Sequence, residues 1–232
     1  VVGGRRCAKQ DHFYRDGSRI LGRPELTIAK DVLVASRDVL ALALEDVTFL
    51  NTVVAVGDAW TTSLKAGGKI LLCGNGGSAG DAQHIAGELV SRFLFDRPAL
   101  AGVALTVDTS VLTAIGNDYG YEHTFSRQVM ALGRQSDVLV GISTSGRSPN
   151  VVAALRAARE IGMTTVGFTG NGDGSEVMGA YCDLLLCAPS RLTPLIQQVH
   201  ITVGHIVCQI VEQAMFGAGG SLVTAEKSEV GA

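Results

Sequence analysis

Apolar residues follow two different periods along this chain. Between positions 25 and 66 they recur at helical spacing: Val32, Leu33, Val39, Leu40 and Leu44, then Val47, Leu50, Val53, Val54, Val56 and Leu64. The pattern predicts helix throughout, with Glu45-Asp46 as a joint between two helices and Gly67-Gly68 as the end. Beyond that point apolar residues gather into short runs at 69–73, 102–107, 138–142, 164–168 and 183–187. Each run is too short for a helix. Each is followed by a longer helical stretch, opening near Ser78, Ser110, Pro149, Ser175 and Thr193. Strand and helix alternating in this way build a parallel sheet covered on both faces. The expected fold class is α/β: a three-layer α/β/α sandwich with a five-stranded parallel sheet, preceded by an N-terminal helical segment. In such sheets ligands bind beyond the carboxyl ends of the strands, so chemistry is expected at the strand-to-helix turns.

The two ends fall outside this pattern. Residues 1–24 are basic and glycine-containing, with little periodicity and no apolar stretch of the secretory kind. They are expected as a poorly ordered extension, 218–232 as a flexible tail, and 25–217 as a single domain. Across 232 residues, 47% apolar and 18% charged positions supply an ample core and exclude disorder for the bulk of the chain. A net charge of −3 argues against a nucleic-acid backbone as the main ligand. No run of about eighteen uninterrupted apolar residues exists, so neither a spanning helix nor a membrane partner is expected. The five cysteines (Cys7, Cys73, Cys182, Cys187 and Cys208) are odd in number and form no C-x-x-C pair. Three sit in apolar runs, where a reduced thiol behaves as a small hydrophobe. A cytoplasmic, disulfide-free protein is the expectation.

Two turns carry candidate chemistry. In the first, LLCGNGGSAGDAQHIAGEL, the glycines Gly74, Gly76 and Gly77 let backbone approach a ligand and adopt positive φ. The dinucleotide fingerprint fails here, because Ala79 stands where its third glycine belongs and no acidic residue ends a second strand about twenty positions on. There is no P-loop either. A tight turn with Ser78 as helix cap would explain one of the three glycines more comfortably than all of them. In the second turn, GISTSGRSPN, Ser143, Thr144, Ser145 and Ser148 crowd a strand end, and Pro149 suits the first position of the next helix. Hydroxyls and backbone N–H groups at a helix start make a phosphate cradle. A helix cap accounts for Ser148 alone and leaves the other three without a task.

A third feature lies on helices. His84 and Glu88 are four apart on the helix opened by the glycine turn, so they share a face. Gln197 and His205 lie on the last long helix among Ile196, Val199, Ile201, Val203, Ile206 and Val207. A carboxylate and imidazoles converging near a phosphate cradle can transfer protons or bind a divalent metal. Singly, each has a duller reading as a hydrogen-bonded core histidine or a surface pair, and His200 is assigned no role. About 12 Å of helix rise separates Gln197 from His205, which makes Gln197 the weaker ligand.

Taken together, CGNGGSAGDAQHIAGEL, TAIGNDYGYEHTFSRQV, GISTSGRSPNV and IQQVH resemble, in order and spacing, the phosphoheptose (sedoheptulose 7-phosphate) isomerases of the sugar-isomerase (SIS) family. The likeness runs from about 25 to 216. It implies an aldose–ketose isomerase that converts sedoheptulose 7-phosphate to D-glycero-D-manno-heptose 7-phosphate through an enediol, the first step toward ADP- or GDP-heptose precursors. It implies a homotetramer with active sites at subunit contacts and one zinc ion per subunit. By this resemblance Asn75, Gly76, Gly77, Glu88, Asn117, Asp118, Ser143, Thr144, Ser145, Ser148 and Gln197 contact substrate, with Ser78 in the same phosphate turn. Glu88 and His205 match the catalytic pair; His84, Glu88, Gln197 and His205 match the zinc ligands. Gln198 departs from the family, where many members carry Glu. Two other classes are implied by relatives: a non-enzymatic tetrameric adaptor that binds the replication initiator, and a sugar-phosphate-sensing module. The adaptor lacks counterparts of Glu88 and His205, and the sensors usually carry a further DNA-binding domain.

Overall fold

The computed structural model describes residues 24–217. Positions 1–23 and 218–232, with Cys7 and nearly all of the expected extension and tail, lie outside the described residues. Two helices come first, α1 (Pro24–Glu45) and α2 (Val47–Lys65). They part at the expected joint. Asp46 sits there in extended conformation, and its carboxylate accepts the N–H groups of Thr48 and Phe49 at 2.9 and 3.0 Å, capping α2. The described chain divides after Asp38 into two units. The sheet and its surrounding helices belong to the second.

The five strands are β1 (Ile70–Gly74), β2 (Gly102–Ala104), β3 (Val138–Ile142), β4 (Thr164–Gly170) and β5 (Leu184–Ala188), all parallel, in the order β2-β1-β3-β4-β5. Between them run α3 (Gly77–Val90), α4 (Thr109–Asp118), a 3₁₀ turn (Tyr121–His123), α5 (Ser126–Leu132), α6 (Pro149–Ile161) and α7 (Gly174–Gly179), and α8 (Thr193–Phe216) closes the body. Alternate strand residues feed two cores. Ile70 and Leu72 join Trp60, Ile85, Leu89 and Val203 on one face, beneath α2, α3 and α8. Leu71 and Cys73 join Val129, Leu155 and Met178 on the other, beneath α5, α6 and α7. Burial on both faces is why these strands read as unbroken apolar runs rather than alternating ones.

Three departures from the sequence pattern have local causes. The edge strand β2 spans three residues, not six, because it pairs only with Ile70–Leu72, and the Leu105 N–H gives its bond to Leu72 C=O at the strand end. Strand β5 starts one residue late because the Asp183 carboxylate turns back to accept the Thr165 N–H and hydroxyl at 2.8 and 3.0 Å. The helical stretch expected from Ser110 is broken at Gly120, whose φ of +94° no ordinary helix accommodates. The topology also creates the site. After β1 the chain crosses to β2 on one side and later returns to β3 on the other, so the connections diverge between β1 and β3. Sheets of this strand order hold ligands in that crevice, and the turn at 75–76 with the start of α3, and the loop at 143–148, flank it.

Candidate active site

The loop after β1 is built by glycines with separate tasks. Gly76 takes φ +57°, the left-handed side of the map, as the residue before α3. A Cβ at Gly77 would collide with the end of the Gln197 side chain, so the glycine lets that amide come up against the turn. Ser78 does not cap the helix: it lies inside α3 and is buried, while Gly76 in the cap position offers no side chain. Asn75 is locked by a reciprocal amide pair with Asn150, Nδ2 to Oδ1 at 2.8 Å one way and 2.9 Å the other. The Tyr121 hydroxyl donates to Asn75 Oδ1 at 3.0 Å.

Across the crevice, Ser148 holds the cap position of α6, with Pro149 behind it, yet its hydroxyl makes no cap bond. It lies 2.9 Å from Ser143 Oγ instead, so both hydroxyls remain with the loop. Thr144 is half-buried and Ser145 exposed, the latter accepting the Arg147 N–H at 3.2 Å. Cap-only readings of Ser78 and Ser148 therefore fail, and the hydroxyl-rich turn stands as a polar surface at a helix start. Asn117 and Asp118 end α4, both exposed, and Asn117 Nδ2 donates to Asp118 Oδ1 at 2.7 Å. Asn150 and Tyr121 were not singled out by sequence reasoning. A buried Asn at the second position of a helix with an otherwise apolar inner face was the available signal for Asn150.

Helices α3 and α8 pack side by side and run the same way: Gly77 meets Gln197, Ile85 meets Gly204, and the N–H groups just past α3 reach Glu212. Gly204 allows the close approach, since a Cβ there would stand 2.7 Å from Ile85. This packing brings three of the expected groups together. His84 Nε2 lies 3.1 Å from Glu88 Oε1 and 3.2 Å from His205 Nε2. One ligand atom from each falls within 4.8 Å of the others. Phe93 stacks on the His205 ring at 5.5 Å and 18°. Gln197 is not part of this trio; its amide stands at Gly77. His200 behaves as the duller reading has it, wholly buried with Nε2 3.1 Å from Thr169 C=O.

The electrostatics favour a neutral imidazole. Burial pushes the His205 pKa down, the neighbouring His84 adds to this, and Glu88 opposes it. Two imidazole Nε2 atoms facing each other, beside a carboxylate, need a proton or a cation between their lone pairs. Two neutral imidazoles and a carboxylate form a donor set that suits zinc, and equally a set that can pass protons. Among the described residues the four cysteines are free, and none belongs to the site; burial pushes Cys73 and Cys208 up to about 12.

A parallel sheet of this order is a doubly wound α/β fold with its ligand crevice at the switch point, and residues 30–170 match the SIS domain family. Over 193 residues the chain is 60% identical to the phosphoheptose isomerase of Burkholderia pseudomallei, covering 83% of this chain and 97% of that one. Against the phosphoheptose isomerase of a Roseiflexus species it is 56% identical over 186 residues, 80% of this chain and 92% of that one. The solved structure of phosphoheptose isomerase GmhA from Neisseria gonorrhoeae superposes with a TM-score of 0.73 at 44% identity, covering 80% of this chain and 98% of that one. The chain belongs to the phosphoheptose isomerase family.

Proposed function

We propose that this chain isomerises sedoheptulose 7-phosphate to D-glycero-D-manno-heptose 7-phosphate, with Glu88 and His205 as the acid–base pair. The observation that carries the reading is the meeting of Glu88 with two imidazoles across α3 and α8, in a chain 60% identical to a named phosphoheptose isomerase. Moving a carbonyl from C2 to C1 requires removing a proton from C1 and delivering one to C2 through an enediol. A single carboxylate on one face does both, and that is Glu88. His205, whose pKa burial pushes down toward the neutral form, moves protons between the two sugar oxygens. Ser143, Thr144, Ser145 and Ser148, with Asn75 to Ser78 opposite, bind the phosphate and the sugar chain, and Asn117 and Asp118 complete the substrate contacts. Remote binding energy at the phosphate holds the reacting carbons in register with Glu88.

His84, Glu88 and His205 would hold the zinc ion implied by the family. Bound there, zinc supplies charge stabilisation to the oxygens of the enediolate. A carboxylate engaged in ligation would be a weaker base, so zinc held by Glu88 would compete with its role as proton acceptor. Gln197, implied as a fourth donor, is presented by its own chain to the turn at Gly77. A homotetramer is part of this reading. Large apolar residues stand exposed along α1 and α2, among them Leu44 at 71% and Val47 at 68%, which suits subunit contact. Among the described residues no single helix is long and apolar enough to cross a membrane, and the reading places the enzyme in the cytoplasm. The single SIS domain takes in 25–217. The adaptor alternative loses weight because Glu88 and His205 are both present and paired through His84.

Incubation with sedoheptulose 7-phosphate, with and without a chelator, tests the proposal. Aldose phosphate should appear, and Glu88→Gln should abolish it while the tetramer persists in light scattering. Near-normal turnover by Glu88→Gln would refute the assignment.

A further inference from the structure

We infer that the buried ion pair between Arg97 and Glu212 is a positioning device that sets Glu88 and His205 at their working separation. Both side chains are nearly sealed from solvent, 2% and 1% exposed, with Arg97 Nε 2.9 Å from Glu212 Oε1. Nothing in the reaction itself uses them. Glu212 itself stands on α8, the helix of the imidazole, and the pair's remaining bonds run to the end of α3 and to the strap that follows it.

Arg97 Nη2 donates to the main-chain carbonyl of Glu88 itself at 2.7 Å, and Nη1 donates to that of Leu89 at 2.7 Å. These carbonyls belong to the last turn of α3, where the helix leaves acceptors without internal partners. A guanidinium there also meets the negative end of the helix dipole. Glu212 lies seven positions past His205 on α8, hence on nearly the same face. Its two oxygens accept the N–H groups of Phe93 and Leu94 at 2.9 and 3.0 Å. That fixes the strap after α3 and sets the Phe93 ring against His205. One ion pair thus grips the backbone of Glu88, the helix of His205 and the aromatic ring that packs on it. An apolar pair of equal volume would fill the space. It could not bind two helix carbonyls and two strap amides at once, and buried ion pairs are otherwise poor stabilisers compared with apolar packing.

The turnover part of the test rests on the isomerase reading; the metal and distance parts do not. The variants are Glu212→Gln, Arg97→Lys, Arg97→Met, and the paired Arg97→Met/Glu212→Leu, which leaves no lone buried charge if a single variant fails to fold. For folded protein well below its melting temperature, kcat should fall by roughly 10 to 100-fold, the scale of a displacement of about 1 Å. KM should change little, since the phosphate cradle lies on other elements. Arg97→Lys should recover part of what Arg97→Met loses. Zinc affinity, titrated with the metal alone, should weaken by roughly 10 to 100-fold. A crystal structure of the paired variant should show Glu88 and His205 displaced relative to each other. The inference is overturned if the paired variant melts earlier yet keeps kcat and zinc affinity within about twofold, or if its Glu88–His205 separation is unchanged. A wild-type protein inactive on sedoheptulose 7-phosphate sinks the isomerase reading alone, and the crystallographic separation still decides this one.

Discussion

Gly204→Ala is the most economical way to disturb the site without touching a polar group. A Cβ at 204 would stand 2.7 Å from Ile85 Cδ1 and 2.8 Å from Cγ1, whereas apolar carbons rest at about 3.5–4.0 Å. Roughly 1 Å has to be found. Ile85, on α3, is wholly buried where it meets α8, so α8 and α3 must part. Overpacking of this kind costs about 1–3 kcal/mol, and alanine's better helix propensity returns up to about 1 kcal/mol. The net loss of about 0–3 kcal/mol lowers the melting temperature by at most about 12 °C, at about 2–4 °C per kcal/mol for a chain of this size. Catalysis is far less tolerant. His205 follows Gly204 and His84 precedes Ile85, so the displacement passes directly into the 3.2 Å contact between the imidazoles. A misplacement of about 1 Å can cost 10²-fold in rate. Steady-state kinetics on sedoheptulose 7-phosphate, paired with calorimetry, checks the contrast. Gly87→Ala serves as the stability reference: it lies on α3, is exposed, and has nothing within 4 Å of its would-be Cβ. Wild-type kcat in Gly204→Ala would refute the claim that helix separation governs the site.

Three further outcomes are expected. Zinc at 100 times its Kd should stabilise the fold by about 2.7 kcal/mol, visible as a raised melting temperature that a chelator reverses. His205→Ala should lose that gain, and an unchanged shift would place the ion elsewhere. Asn150→Ala strips Asn75 Nδ2 of its acceptor, while Asn75 Oδ1 keeps the Tyr121 hydroxyl and the Val151 N–H keeps the Ser148 carbonyl, costing about 1–3 kcal/mol for the one group left unsatisfied. KM for the sugar phosphate should rise more than kcat falls, and an unchanged KM would detach Asn75 from substrate binding. For pH, burial pushes His200 down from 6.5 to about 4. The neutral form is favoured in the folded state, so this stability is complete above pH 6.5. It drains as pH falls toward 4, by about 3 kcal/mol in all. Urea unfolding between pH 7 and 4 should show this slope, and His200→Gln should flatten it. An identical slope in the variant would mean other groups set the acid limit.

The architecture was legible because central parallel strands are buried on both sides, which leaves an apolar run that no helix explains. What that signal cannot contain is where pairing stops. Strand β2 stops pairing at Ala104 while β1 runs on through Cys73 and Gly74, and the apolar residues beyond it, Leu105 and Val107, carry no mark of this. The site divides along the same line. His84 and Glu88 announce themselves by spacing on one helix, and the serines by crowding one turn. His205 stands 121 positions from His84, so residue spacing could nominate it but not unite it with the others. The resemblance supplied that step, and helix packing accounts for it. Arg97 is the extreme case. Within the run Arg92 to Pro98 it reads as one surface charge among several, and its value depends wholly on an acid 115 positions away.

That division explains why α3 matters more than its length suggests. Its first turn, opened by Gly76 at positive φ, faces the crevice where the loops after β1 and β3 flank the switch point. Its later turns carry His84 and Glu88, and its end is held by Arg97. Parallel packing with α8 repeats this order on the partner helix: Gln197 at the crevice, His205 beside His84, and Glu212 at the clamp. The two helices form a ruler, since 1.5 Å of rise per residue fixes how far the proton-transfer groups stand from the substrate turn. Polar contacts clamp the far end, a glycine closes the middle, and a glycine against a glutamine registers the near end. A slip of one helix along the other would break all three at once, so the rigidity that catalysis needs is a property of the pair rather than of any single side chain.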